Sequence, residues 1–190
     1  MLIFPLALGS GVVAGYAGGG RLHGLGLLRL RAHLLLFGAV ATQLALPAVS
    51  DDLRFPMVTL SYAMVGGWLL VNVGHRATIL RVALGLLAVG WMLNAATIAA
   101  NGGMPVSMEA FHAAGGPAEG LDAAAIDKHV VSGPGTRLAA LGDVIPVPPL
   151  GAVVSVGDIA MVVGIMLTVA AAMASVRTTG PRRVLREEAI

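Results

Sequence analysis

Two isolated carboxylates carry the most chemistry in this chain. Asp143 is the single acid of the apolar run Leu141-Gly142-Asp143-Val144-Ile145-Pro146, and Asp158 sits in Ser155-Val156-Gly157-Asp158-Ile159-Ala160, at the start of a long apolar stretch. Two carboxyl groups brought to one interface can share a proton, because like charges about 3 Å apart cannot both ionise. One would then act as base toward a water and the other as acid toward a leaving group. An ionisable side chain just inside an apolar helix costs several kcal/mol unless paired or wetted, so Asp158 carries a functional hypothesis by default. Its structural alternative is an interfacial helix cap, or a partner for Arg137 or Lys128.

The other candidates cluster in the same region. Asn101, Lys128, His129 and Arg137 are the binding candidates, grouped with the acids in a polar segment spanning 101–150. The five histidines, His23, His33, His75, His112 and His129, offer no His-x-x-Glu, His-Glu-x-x-His or i, i+4 pair, so no metal site is expected. None lies deep within an apolar run, as haem ligation would require. His129, beside Lys128, is the one expected near the acidic outer site. The glycines from Gly15 to Arg21 imitate a phosphate-binding loop, but the lysine and the Ser/Thr are missing, so no nucleotide is expected. The spacing Gly11-x-x-x-Gly15-x-x-x-Gly19 reads instead as a small-residue packing face. Gln43, Asn72 and Asn94 read as interhelical hydrogen-bonding residues, each worth about 0.6 kcal/mol. No cofactor is expected.

The elements that must position these residues follow from composition and charge. Hydrophobic residues make up 57% of the chain and charged residues 12%, with a mean hydropathy of +0.87. That is too apolar for a soluble domain of this length. Nine bases fall in three segments, around Arg21 to Arg31, Arg76 to Arg81 and Arg177 to Arg186, accompanied by two acids, Glu187 and Glu188. The opposite connections hold eight acids and three bases, Arg54, Lys128 and Arg137. This positive-inside pattern predicts an all-α, polytopic transmembrane bundle with the N-terminus outside and the C-terminus cytoplasmic. Crossing about 30 Å of hydrocarbon takes about 20 residues, which places five spans near residues 2–18, 32–49, 55–73, 79–100 and 151–175 of one domain, with a cytoplasmic tail at 176–190. The first run lacks a basic flank before it, which favours a retained helix over a cleaved signal peptide. The basic residues are scattered at helix ends without aromatic interleaving, so anionic headgroups suit them better than nucleic acid.

The long extracytoplasmic loop at 101–150 is the expected working face, since structureless connections of that length are uncommon and often functional. Within it 106–112 and 121–131 are each expected as a short helix. The second would place Asp122 near its start and Lys128 and His129 near its end, as the helix dipole prefers. Ser132-Gly133-Pro134-Gly135 breaks the chain. The stretch 138–150, with Pro146, Pro148 and Pro149, cannot continue as a regular helix and should lie at the interface.

Two resemblances follow from these motifs. Gly142-Asp143-Val144-Ile145-Pro146, a turn, then Val156-Gly157-Asp158-Ile159-Ala160 resembles the C-terminal part of the lipoprotein signal peptidases, which implies a catalytic aspartate dyad at Asp143 and Asp158. The likeness covers only this short region, Ser155 stands where that family has Asn, and the family's Asn-x-x-Asp-Arg segment is missing. A resemblance over nearly the whole chain rests on Gly19-Gly20-Arg21-Leu22, Leu30-Arg31, Gln43, Asn101-Gly102-Gly103-Met104-Pro105-Val106, Leu141 to Pro146 and Ser155 to Asp158. These are similar to an uncharacterised bacterial integral membrane protein family, a domain of unknown function. It implies the topology and no activity.

Three functions are therefore weighed. The first is a non-catalytic membrane protein acting as an accessory subunit of a larger membrane complex, or as a binder of lipid or protein, through its outer loop. The second is a membrane-embedded aspartate-dyad hydrolase at the outer leaflet. The third is a small-molecule transporter, for which midplane charges and two equal halves are lacking. The lipid bilayer is the expected partner in each. The separation and surroundings of Asp143 and Asp158 discriminate the first two.

Overall fold

The computed structural model describes residues 3–74, 78–117 and 129–175. Helices dominate: α1 (Ile3–Ala17), α2 (His23–Gly26), α3 (His33–Ala45), α4 (Asp51–Val73), α5 (Thr78–Asn101), α6 (Met108–Ala113) and α7 (Val156–Ala174). Four three-residue strands join them, β1 (Met104–Val106), β2 (His129–Val131), β3 (Ile145–Val147) and β4 (Ala152–Val154).

Three helices are long and apolar enough to cross a membrane, over Asp52–Val73, Thr78–Asn101 and Val156–Ala174. The apolar helices Ile3–Ala17 and His33–Ala48 are shorter. At 1.5 Å per residue they fall below the length of a standard crossing. All five turn large apolar side chains outward, among them Val13 on α1, Leu34 on α3, Leu70 on α4, Val82 on α5 and Val163 on α7. Leu34 and Leu70 are each 83% exposed. An apolar belt of that extent suits a hydrocarbon solvent and is a liability in water.

The helices pack in the spatial order α3, α4, α5, α7, α1. Small residues set the closest approaches. A Cβ on Gly11 would lie 2.8 Å from the Val169 Cβ, and one on Gly15 would strike the Met173 side chain, so the small-residue face of α1 meets α7 as its spacing predicts. Gly19 takes no part. It turns the chain at a φ of 74° with open space around it, and Gly20 and Gly24 instead press on the end of α7. On the other side of α7, Gly157 and Gly164 meet Gly90, Ala83 and Leu87 of α5. Two apolar clusters fill the α3–α4–α5 side, Leu46, Val58, Ile98 and Met104 toward the loop end and Trp68, Leu69 and Leu84 toward the other.

The polar residues placed inside the apolar runs tie elements together. Gln43 Nε2 donates to Ser61 Oγ between α3 and α4. Asn72 grips the backbone of Arg31: its Oδ1 accepts from the Arg31 N–H at 2.9 Å and its Nδ2 donates to the Arg31 carbonyl at 3.0 Å. Asn101 does the same to Arg137, at 2.9 and 2.8 Å. The residues that follow, Ala32 (φ 57°) and Leu138 (φ 53°), are the non-glycine residues in the left-handed region among those described. That conformation costs about 1–2 kcal/mol per residue, and two hydrogen bonds of about 1 kcal/mol each are enough to hold it.

The loop differs from expectation in three places. The segment 106–112 is only partly helical, because Val106 closes β1 and α6 begins at Met108 behind the Ser107 cap, whose Oγ accepts from the Ala110 N–H. His129 to Val131, expected at the end of a helix, is β2, paired in parallel with β1; Val130 and Val131 are β-branched and fit that pairing. Residues 118–128, which include Lys128 and the rest of the expected helix, lie outside the described residues. The last long helix starts at Val156 rather than at Gly151, since Ala152–Val154 pairs antiparallel with Ile145–Val147.

Candidate functional site

The two carboxylates are brought together by a hairpin. β3 and β4 pair with Ile145 opposite Val154, around a tight proline turn, so Asp143 just before β3 and Asp158 just after β4 return to one end of the fold. Asp143 is fixed against the free edge of β1. Its N–H donates to the Pro105 carbonyl at 2.8 Å and its carbonyl accepts from the Ser107 N–H at 2.9 Å. Gly142 permits this approach, because a Cβ there would lie 2.5 Å from the Pro105 carbonyl oxygen. The other edge of β1 carries β2, whose first residue is His129. Its Nε2 lies 3.5 Å from Asp143 Oδ2.

Asp158 is engaged differently. Ser155 is the N-cap of α7: its Oγ accepts from the Asp158 N–H at 2.9 Å, and Asp158 Oδ2 accepts in return from the Ser155 N–H at 3.0 Å. This reciprocal pair is a capping box. Asp158 Oδ1 accepts from Asn94 Nδ2 of α5 at 2.8 Å, and Asn94 Oδ1 accepts from Ser155 Oγ at 3.0 Å. Both oxygens of Asp158 therefore hold helix α7 together and to α5. The cap alternative accounts for this residue, and neither Arg137 nor Lys128 is needed to explain it.

Asp143 keeps more of its capacity. It is only 6% exposed, and its Oδ1 is buried without a hydrogen-bond donor among the described residues. Burial pushes its carboxyl above the ordinary range; the hydrogen bond from His129 opposes this, the Asp158 charge adds to it, and the His129 charge opposes it again. A carboxyl whose folded pKa is raised favours the folded state in its protonated form. Its contribution is fully present below the unfolded carboxylate value near 3.8 and is lost as pH rises through the raised folded value. The thermal midpoint of the full chain in detergent is therefore expected to gain from acidification across that window through this residue. Asp143→Asn should lose that gain, with His129, Asp158 and Tyr62, the described titratable groups facing it, left in place. A pH profile identical in the two proteins would contradict the assignment.

Asp143, His129 and Asp158 line one cavity of about 850 Å³ at the loop end of the helices. Ser61 and Tyr62 of α4 and Asn94 of α5 add polar groups, while Phe4 of α1, Val40 and Leu44 of α3, Trp91 of α5 and Met161 of α7 add apolar wall. The Tyr62 and Trp91 rings stand 6.3 Å apart, and Gly66 leaves room for the Trp91 ring. Of the predicted binding residues, His129 reaches this cavity. Asn101 and the backbone of Arg137 instead clamp each other, and Arg137 is exposed. Lys128 lies outside the described residues. Among the described residues no three histidine or acidic side chains come together in a group able to hold a metal ion.

The matched region of a family model runs over residues 27–170, from the turn before α3 through most of α7, and takes in every residue of the carboxylate pair and its supports. The chain belongs to the family of unknown function DUF5317. No curated protein and no solved structure matches it. Tyr62, Trp91 and Ser61 are the residues of this DUF5317 site that sequence reasoning missed. Aromatics are scarce, 4% of the chain, which makes Tyr62 and Trp91 conspicuous without saying what they line.

Proposed function

We propose that this chain is a non-catalytic integral protein of the bacterial cytoplasmic membrane. It has five spans, the N-terminus outside, the C-terminus cytoplasmic, and an outer loop that serves as an accessory or ligand-binding module. The outward apolar faces of α1 and α3, which match those of the three longer helices, support five spans over three. The non-catalytic reading rests on Asp158, whose two oxygens are both committed to the α7 cap and to Asn94. A hydrolytic dyad needs a carboxylate able to take and release a proton at a substrate or a water, and this one is occupied. The shared cavity of Asp143 and Asp158 is what favours the hydrolase alternative.

Two measurements test the reading. The chain has no cysteine, so Gly133→Cys in the outer loop is expected to react with a membrane-impermeant maleimide applied to intact cells, and Leu27→Cys on the opposite side only after lysis. Asp158→Asn is expected to complement a deletion strain in proportion to its protein level. Wild-type abundance with complete loss of complementation would move the assignment to aspartate chemistry.

A further inference from the structure

The cavity has the make-up of a site for an amphiphile. Its volume of about 850 Å³ falls within the roughly 300–1,000 Å³ of small-molecule pockets. Polar groups gather from five directions, Gln43 on α3, Ser61 and Tyr62 on α4, Asn94 on α5, Asp158 on α7, and His129 with Asp143 in the loop. The remaining described side chains of the wall are aliphatic or aromatic. Val40 and Leu44 on α3, which belong to that wall, are also 57% and 77% exposed on the outer surface of the helices. Since α3 and α1 stand at the two ends of the packing order, the cavity wall runs from one to the other and reaches the apolar surface at α3. A hydrocarbon chain can therefore lie in the cavity and continue into the surrounding hydrocarbon.

Charge decides the head group. Two acids and no lysine or arginine are among the described lining residues, and His129 already faces Asp143, so a phosphate or carboxylate head would meet like charge with no further cation among them. Desolvating an ammonium costs far more than desolvating a hydroxyl. Asp143, in turn, holds a buried carboxylate oxygen for which none of the described residues supplies a donor. From this juxtaposition we propose that the cavity binds a long-chain amphiphile with an uncharged, hydroxyl-bearing head, the hydroxyl donating to Asp143 and the chain lying along Trp91, Val40 and Leu44. The proposal rests on the non-catalytic reading above, in that the ligand is held and not cleaved.

The chain has two tryptophans, and Trp91 lines the cavity while Trp68 does not. In the full-length Trp68→Phe protein in detergent, a monoacylglycerol brominated along its chain is expected to quench Trp91 fluorescence saturably. Its apparent affinity should be about tenfold or more above that of the equally brominated fatty acid, the difference one lost hydrogen bond to a charged group makes. Asp143→Ala should weaken the effect about tenfold. Val40→Phe, at an aliphatic position of the wall, should weaken it by filling the space for the chain and keeps the test decisive where Asp143→Ala fails to fold. Displacement by unlabelled monoacylglycerol or by farnesol supports the site and tells an acyl tail from a prenyl one. Displacement by neither overturns it, as does quenching that is linear in probe or equal for the fatty acid. Release of free brominated fatty acid from a saturably bound monoacylglycerol would instead overturn the non-catalytic reading and leave the site standing.

Discussion

Gly157→Ala is expected to loosen the junction of α5 and α7 and to lower the thermal midpoint of the detergent-solubilised protein by about 10 °C, corresponding to about 3 kcal/mol of overpacking in a chain of this size. The reason is local. The added methyl would land on the Asn94 carboxamide, with the Gly90 carbonyl 2.8 Å away on the same side. Backbone cannot retreat as a flexible side chain can, so α7 must move off α5 as a unit, carrying Asp158 away from Asn94. Gly85→Ala in α5 provides the contrast, because nothing lies within 4 Å of the position its methyl would take. That change should be neutral or stabilising by up to about 1 kcal/mol, through helix propensity alone. Equal midpoints for the two variants would mean that the α5–α7 contact is not as close as described.

Asn94→Ala should be nearly as damaging, at about 2–4 kcal/mol. It removes the donor to Asp158 Oδ1 and the acceptor for the Ser155 hydroxyl together, and a buried polar group left without its partner costs about 1–3 kcal/mol. Ser155→Ala loses the N-cap of α7, typically about 1 kcal/mol, and leaves the Asn94 carbonyl oxygen without its Ser155 donor. Because the three side chains form one closed set of hydrogen bonds, the double variant should cost less than the two single losses combined, by about 0.5–3 kcal/mol. A double-mutant cycle by chemical denaturation in mixed micelles measures this. Additivity within about 0.5 kcal/mol would show that Asn94 and Ser155 act independently.

Much of this architecture can be read from residue order. The long apolar runs give α4, α5 and α7, and Asn72 and Asn94 stand out because a carboxamide within such a run must bond to a neighbour. Ser155 three residues before Asp158 is the spacing of a capping box, so the role of Asp158 was open to reading as well. Other parts were hidden for physical reasons. Ala152-Val153-Val154 is a short apolar run with no period long enough to separate strand from helix, and only its pairing with Ile145–Val147 makes it a strand. His129 could not be matched to Asp143 from sequence, because their meeting depends on β1 accepting a parallel neighbour on one edge and the Asp143 backbone on the other. The cavity is a property of how five helices are arranged and not of any motif, which is why Tyr62 and Trp91 carried no local sign of lining it.

The grips of Asn72 on Arg31 and of Asn101 on Arg137 engage only main-chain atoms. Every amino acid except proline offers the same amide hydrogen and carbonyl oxygen at those two positions. The side chains displayed there can therefore be exchanged by evolution or by an engineer without disturbing how either connection is anchored. The two ends of this fold are thus built as sockets that stay put while the surface chemistry mounted on them changes.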